Sequence, residues 1–378
     1  MARLRSGHPW IYRAGVAMVE ETTGEEGLTE VLGPRGRPLG QALLSRESQI
    51  TLRMLTGSED PVDRAFLRRR LADAVAYRER SLPGREALRL VFGEGDGLPG
   101  LIVDRYGDHL VLQCLAWGMD ALEEEITSLL VELLTPASIL ARNDPAVRAL
   151  EGLPREVVQL YGETPERVTY EEEGLVLEAD LRRGQKTGAF LDQADNHLLA
   201  GRLARGRVLD VFTYGGGFAL AAAKRAEEVV AVDSSRDALA LARRQAERNG
   251  ITNITFRDGN AFDFLKEEDR RKARYDMIVL DPPAFAKNKR ELEAALRGYK
   301  EINLRAMKIL RPGGILMTCS CSYHMNESLM EEMLARAAAD AHRTFRIAER
   351  RRQAVDHPVR LGFPEGLYLK CQVLEVLE

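Results

Sequence analysis

Apolar and polar positions follow three rhythms along the chain. Up to about Ser58, apolar pairs are broken by turn residues, as in VLGPRGRPLGQALLS and QITLRML, which predicts a small β-rich module. Pro61 then opens DRAFLRRRLADAVAYRERS, where Phe66, Leu67, Leu71, Ala74 and Val75 recur at helical spacing. Beyond it, LRLVFGEGDGLPGLIVDRYGDHLVLQCLA holds three strand-like runs parted by turn signals. The helical MDALEEEITSLLVELL and the apolar run SILA follow, and together these predict a modest α+β module. From about Glu178 the strand-like runs RVLDVF, EVVAVD, ITFRD, YDMIVLD and GILMTCS each precede a helical segment. That alternation predicts an α/β fold, a doubly wound, Rossmann-like parallel sheet covered on both faces. The expected domains are 1–60, 61–175 and 176–378.

A length of 378 residues allows several cores, and a 45% apolar, 30% charged composition excludes wholesale disorder. The net charge of -4 excludes a globally basic nucleic-acid binder, so a polyanion needs a local patch. The candidate clusters are Lys287, Lys289 and Arg290, and Arg350, Arg351 and Arg352; solvated surface is the competing reading of both. Four cysteines, unevenly spaced, suit a reducing compartment. MARLRSGHPW lacks a signal-peptide core and no apolar run is long enough to span a membrane, so a cytoplasmic location is expected.

In a doubly wound sheet, ligands sit beyond the carboxyl ends of the strands. The first such strand ends LDVFTYGGGFAL, which makes Asp210, Phe212, Tyr214, Gly215 and Gly217 candidate cofactor contacts. A tight strand–helix turn would need the same glycines. Asp233 and Ser234 end the second strand, where an acid can accept both hydroxyls of a ribose or cap the next helix. Phe212 and Tyr214 stand where a dinucleotide site needs glycine, which favours S-adenosylmethionine over NAD. Asn260, ending the third strand, is placed to reach the adenine amine. Asp281-Pro282-Pro283 ends the fourth strand, and its fixed φ angles present a carboxylate to a flat polar substrate. In Thr318-Cys319-Ser320-Cys321-Ser322, the two thiols share one strand face. They are core residues, metal ligands with His324, or a nucleophile for a pyrimidine that cannot otherwise attack a sulfonium methyl.

These motifs, in order, resemble the bacterial large-subunit ribosomal RNA cytosine-C5 methyltransferases that carry an N-terminal PUA domain. HPWIYRAGV resembles the start of the PUA module and GEGDGLPGLIVDRYGDHLVLQ the central domain. GQKTGAFLDQADNH resembles the loop before the first catalytic strand, and DVFTYGGGFAL, VDSS, LDPPAFAKNK, GYKEINLRAMKIL, SCS, DHP and FPEGLYLKC complete the series. The resemblance implies a seven-stranded methyltransferase domain behind a small α+β domain and a PUA β-barrel. It implies that Cys321 is the nucleophile and that Asp281 meets the cytosine N3/N4 edge. Asp210, Tyr214, Gly215, Asp233 and Asn260 would line the S-adenosylmethionine pocket, with Lys186, Thr187, Phe190 and Asp192 closing over cofactor or base. Ala284 follows Asp-Pro-Pro, so the second cysteine of some RNA cytosine methyltransferases is missing. The implied partner is ribosomal RNA, with no membrane and with a homodimer compatible. Competing readings are methylation of guanine N7 or an exocyclic amine, and a non-catalytic RNA-binding or ribosome-assembly protein.

Overall fold

A computed structural model of the chain describes residues 2–19, 27–57, 60–286 and 289–377. They fall into two compact units: Met1–Glu171, Glu178–Leu191 and Val355–Gly366 in the first, and Glu172–Leu177, Asp192–Ala354 and Leu367–Glu378 in the second.

The first unit opens with α1 (Ala2–Arg5), β1 (Trp10–Tyr12), β2 (Leu28–Leu32), β3 (Pro38–Leu44) and β4 (Ile50–Met54). The strands pair antiparallel in the order β1-β4-β3-β2 over Val31, Ala42, Leu44, Leu52 and Met54. Helix α2 (Arg64–Ser81) starts where the Asp63 side chain accepts the Phe66 N–H at 2.8 Å. It buries the apolar stripe expected of it. Then come β5 (Ala87–Phe92), β6 (Leu101–Tyr106), β7 (His109–Cys114), α3 (Trp117–Asp120), α4 (Glu123–Leu134), β8 (Ser138–Asn143) and β9 (Glu156–Gly162). These strands line up in chain order, antiparallel except for the β7–β8 pair, which α4 joins as a crossover. Strands β10 (Val168–Glu172) and β11 (Leu175–Ala179) form a hairpin.

Asp356 explains why a short stretch near the C-terminus belongs to the first unit. Its carboxylate accepts the Arg89 N–H at 2.8 Å, and its carbonyl accepts the Arg78 guanidinium at 2.6 Å. Arg78 is 1% exposed and is also held by Asp96 at 2.5 and 2.8 Å. The Asp-His-Pro string is therefore a structural clasp, with His357 Nδ1 2.8 Å from its neighbour's carboxylate.

The second unit alternates α5 (Ala194–Leu203), β12 (Arg207–Val211), α6 (Gly217–Ala223), β13 (Glu228–Asp233), α7 (Arg236–Arg248), β14 (Ile254–Asp258), α8 (Ala261–Arg270), β15 (Tyr275–Leu280), α9 (Leu292–Ile309), β16 (Leu310–Ser320) and α10 (Glu327–Asp340). It ends with β17 (Phe345–Arg351) and β18 (Lys370–Val376). The seven strands lie in the order β14-β13-β12-β15-β16-β18-β17. The parallel sheet expected from the pattern holds for five of them, whereas β18 runs antiparallel to both β16 and β17. No strand–helix alternation announces these last two, and β17 is exposed at five of its seven positions, so its apolar pattern is weak. Leu209 and Val211 of β12 face the core under α8, α9 and α10. Val208 faces the core under α5 and α6, and so does Cys319 of β16. Asp210 follows Val208 to that second face by the period-2 rule.

Candidate active site

The chain reverses its strand order between β12 and β15, and in such sheets ligands sit beyond the carboxyl ends of the strands at that point. Asp210, one residue before the end of β12, is 1% exposed. Its Oδ2 accepts the Thr213 hydroxyl at 2.6 Å and the Ala219 N–H of α6 at 3.0 Å. Its Oδ1 is buried without a partner. Burial pushes the carboxyl up to about 7, and the Asp281 charge adds to that against the opposing Thr213 bond.

After β12 the backbone turns through left-handed conformations at Phe212 (φ 68°), Tyr214 (φ 48°) and Gly216 (φ 86°). Two non-glycine residues of this kind, separated only by Thr213, are costly and persist only where the surroundings hold them. Here the hold is visible. The Phe212 and Thr213 amides both donate to Val232 O at 3.0 Å, and the Tyr214 amide donates to Asp233 Oδ2 at 2.8 Å. The other oxygen of Asp233 accepts the Ser235 amide at 2.8 Å. Asp233 thus ties β12 to β13 and keeps one lone pair on each oxygen for a ligand. It does not cap α7; that role falls to Ser235, which accepts the Ala238 N–H. Ser234 lies between the two.

Gly217 has a packing reason to be glycine. A Cβ there would come within 2.5 Å of the His197 ring, which rests edge-on against Phe218 at 4.5 Å. His197 Nδ1 lies 3.0 Å from Glu172. Burial alone would lower its pKa, but the Glu172 hydrogen bond and charge, with Asp281 and Asp210, outweigh burial and raise it. Gly215 is pinned by Gln245 Nε2, 2.6 Å from its carbonyl oxygen. Asn260 caps α8, its Oδ1 accepting Phe262 and Asp263 amides at 2.9 and 3.4 Å. With that oxygen engaged, Nδ2 is the group left for a ligand, and a donor matches a ring nitrogen better than an amine.

Asp281 follows β15, and its amide lies 3.4 Å from Val211 O. Cys321 follows β16. Cys114, Cys319 and Cys371 are buried, whereas Cys321 is half-buried. Tyr299 of α9 links the two loops. Its hydroxyl lies 2.8 Å from Ser322 Oγ and accepts from Ser320 Oγ at 3.2 Å and the Phe285 amide at 3.4 Å. The Phe285 and Tyr299 rings stack at 4.5 Å. Tyr299 and Lys370, whose ammonium donates to Ser322 O at 2.7 Å, carried no sequence signal beyond a place in a longer motif.

The loop before β12 divides between the units. In the first unit, Thr187 is 1% exposed, donates to Asp104 at 2.6 Å and lies 3.0 Å from the Tyr106 hydroxyl. Lys186 there sits 4.4 Å over the Phe190 ring. In the second unit, Asp192 is buried, takes the Tyr368 hydroxyl at 2.7 Å and accepts the Ala354 amide through its carbonyl. The basic run near the C-terminus is neutralised: Arg350 pairs with Glu331, Arg351 with Glu349 and Arg352 with Glu327. Lys287 lies outside the described residues, as does the Lys289 side chain. Among the described residues no group of three or more His, Cys, Asp or Glu side chains could hold a metal.

A buried acceptor without a partner, a carboxylate with spare lone pairs and an amide donor suit a cationic nucleoside cofactor. Residues 129–359 match the family of S-adenosylmethionine-dependent methyltransferases, and residues 2–57 match a PUA-like domain. The fold is thus that of a methyltransferase that uses S-adenosylmethionine. A ribosomal RNA large subunit methyltransferase I from Tolumonas auensis is 42% identical, covering 98% of this chain and 96% of its own. Its counterpart from Vibrio cholerae is 39% identical over the same shares. The chain belongs to this ribosomal RNA large subunit methyltransferase I family. Among solved structures, a methyltransferase from Streptococcus mutans shares the fold at a TM-score of 0.83 and 20% identity, over 99% of this chain and 97% of that one. Another, complexed with SAH, gives 0.85 and 21% with the same coverage.

Proposed function

We propose that the protein methylates carbon 5 of a cytosine in large-subunit ribosomal RNA through a covalent adduct on Cys321. The RNA class follows the names of its relatives. The chemistry rests on one observation: the only half-buried thiol of the four stands at the strand end that Tyr299 ties to the Asp-Pro-Pro loop.

Asp233 would hold the ribose, Asn260 the adenine ring and Asp210 the positive charge of S-adenosylmethionine, with Phe212, Tyr214, Gly215, Gly217 and Ser234 forming the turn around it. The cofactor supplies the electrophilic methyl group that C5 acquires. The cytosine leaves its stack to reach the pocket. The Cys321 thiolate adds to C6, breaking the C5–C6 double bond and making C5 an enamine-like carbon. Asp281 stabilises the proton taken up at N3. Loss of the C5 proton to a base then restores the C5–C6 double bond and expels the thiolate, and the N3 proton returns to solvent. The N-terminal segment 1–60 would bind RNA, the segment 61–175 would carry it, and 176–378 would perform the transfer, in the cytoplasm. Lys186, Thr187, Phe190 and Asp192 would act indirectly, by setting the course of the chain into β12.

Cys321→Ala should abolish methylation of ribosomal RNA while S-adenosylmethionine still binds by calorimetry. RNA carrying 5-fluorocytosine should trap a covalent complex with the wild-type protein. Methylation without such a complex would instead point to a guanine or amine target.

A further inference from the structure

The first unit contains a cleft of about 1040 Å³ in which arginines from three distant parts of the sequence converge. Arg35 and Arg37 come from the turn before β3, Arg70 from α2 and Arg360 from the segment clasped by Arg78. None of the four has a carboxylate within ion-pair distance among the described residues, in contrast to the neutralised Arg350, Arg351 and Arg352. Burial lowers the Arg360 pKa, the Arg70 charge lowers it further, and Glu94 only partly opposes them. Glu94 itself accepts the Trp10 indole N–H at 2.7 Å, and Asp96 is held by Arg78. Asp73 is exposed on α2. Two guanidinium groups kept close in a half-buried cleft, without anions of their own, are poised for anions from outside. Leu361, beside Arg360, is 96% exposed and offers an apolar surface next to the charge.

We propose that this cleft binds the phosphodiester backbone of the RNA substrate, with Arg35, Arg37, Arg70 and Arg360 on successive phosphates. The proposal rests on the RNA-methylating reading and names where the N-terminal unit would take hold. Filter binding of protein-free large-subunit ribosomal RNA between 50 and 200 mM salt, roughly the range where phosphate contacts tell, tests it. Arg70→Gln/Arg360→Gln should weaken binding about tenfold or more and flatten the slope of log affinity against log salt by about 1 to 2. Arg350→Gln should change neither. Arg37→Gln, on the exposed rim, should lower the slope by about 1 even if the double variant folds poorly. An unchanged affinity and slope in folded variants overturns the cleft alone. Absence of salt-dependent RNA binding by the wild-type protein overturns the RNA reading and the cleft with it.

A different observation concerns Lys370. Its side chain is 4% exposed, and its ammonium donates to Ser322 O at 2.7 Å and Tyr368 O at 2.8 Å. No carboxylate lies within ion-pair distance of it among the described residues; Glu327 acts only at longer range and is engaged by Arg352. The remaining charge that acts on it is that of Cys321, one residue before Ser322. A buried ammonium without a counter-ion is costly, and a thiolate would supply one. We infer that Lys370 is a positioning residue that stabilises Cys321 as a thiolate, the thiol proton passing to water.

Burial pushes Lys370 down to about 8, so it remains mostly an ammonium at neutral pH. Tyr299 from α9 interacts with Cys321 and Glu327 from α10 with Lys370, while Asp281 after β15 and Cys371 of β18 act on the neighbouring Cys319. The rate of iodoacetamide alkylation against pH reads Cys321 selectively, since the other three cysteines are buried. Lys370→Met should raise the midpoint by about one pH unit or more, and Lys370→Arg should restore it. An unchanged midpoint in a folded Lys370→Met or Lys370→Gln protein overturns the inference. This measurement stands whether or not Cys321→Ala abolishes methylation, so the two readings fail separately.

Discussion

Asp210 is the residue where burial and charge conflict most sharply. Its carboxyl, raised to about 7 from an unfolded value near 3.9, keeps its proton in the folded state over that interval. A raised acid pKa means that folding is favoured at low pH and weakened as pH climbs from about 4 through about 7. Asp210→Asn should remove this slope from thermal melts. The wild-type protein should gain affinity for S-adenosylmethionine as Asp210 ionises, and the same variant should bind it at least about tenfold more weakly at pH 8, without that gain. Tyr299 poses the complementary case. Its hydroxyl joins Ser320, Ser322 and the Phe285 amide. Tyr299→Phe should cost about 1–3 kcal/mol in urea titration and lower kcat with little change in cofactor affinity. Cysteine spacing, the Asp-Pro-Pro string and the acidic strand ends were legible from the sequence. Tyr299 and Lys370 were not, since a buried polar group is recognised by its partners, which lie elsewhere in the chain.

Helices and strands followed local pattern closely where one face of each is apolar. The stripe on α2 and the runs now seen as β12, β13 and β15 were all readable. The edge strand β14 was readable too, although it is only partly covered. The glycine turn into α6 was read as a cofactor contact, but Gly217 also yields space to the His197 ring. Gly217→Ala should therefore destabilise the protein by about 1–3 kcal/mol through overpacking, whether or not cofactor is present. If the glycine served the cofactor alone, only the binding isotherm would move.

At the scale of the whole molecule, the chain leaves the first unit and returns to it. Residues 355–366 are recruited by the buried Arg78, which joins Arg89 O, Asp96 and Asp356 O. Removing one partner of such a buried cluster leaves uncompensated charge. Arg78→Met should cost about 3–5 kcal/mol in chemical denaturation. It should also raise protease cleavage within 355–366 before global unfolding. The basic triplet at 350–352 shows the converse, because adjacency in sequence drew attention to charges that carboxylates cancel, while the cleft arginines at 35, 37, 70 and 360, without an ion-pair partner among the described residues, are scattered along the chain.

Period, turn chemistry and strand-end motifs are short-range properties, and they determined the α/β class, the five parallel strands and the cofactor class. The antiparallel pair β17–β18, the clasp around Arg78, the Tyr299 bridge and the solvent-facing side of Cys321 depended on tertiary structure. Each of these comes from groups far apart along the chain, whose burial and charge compensation exist only once the chain has closed around them.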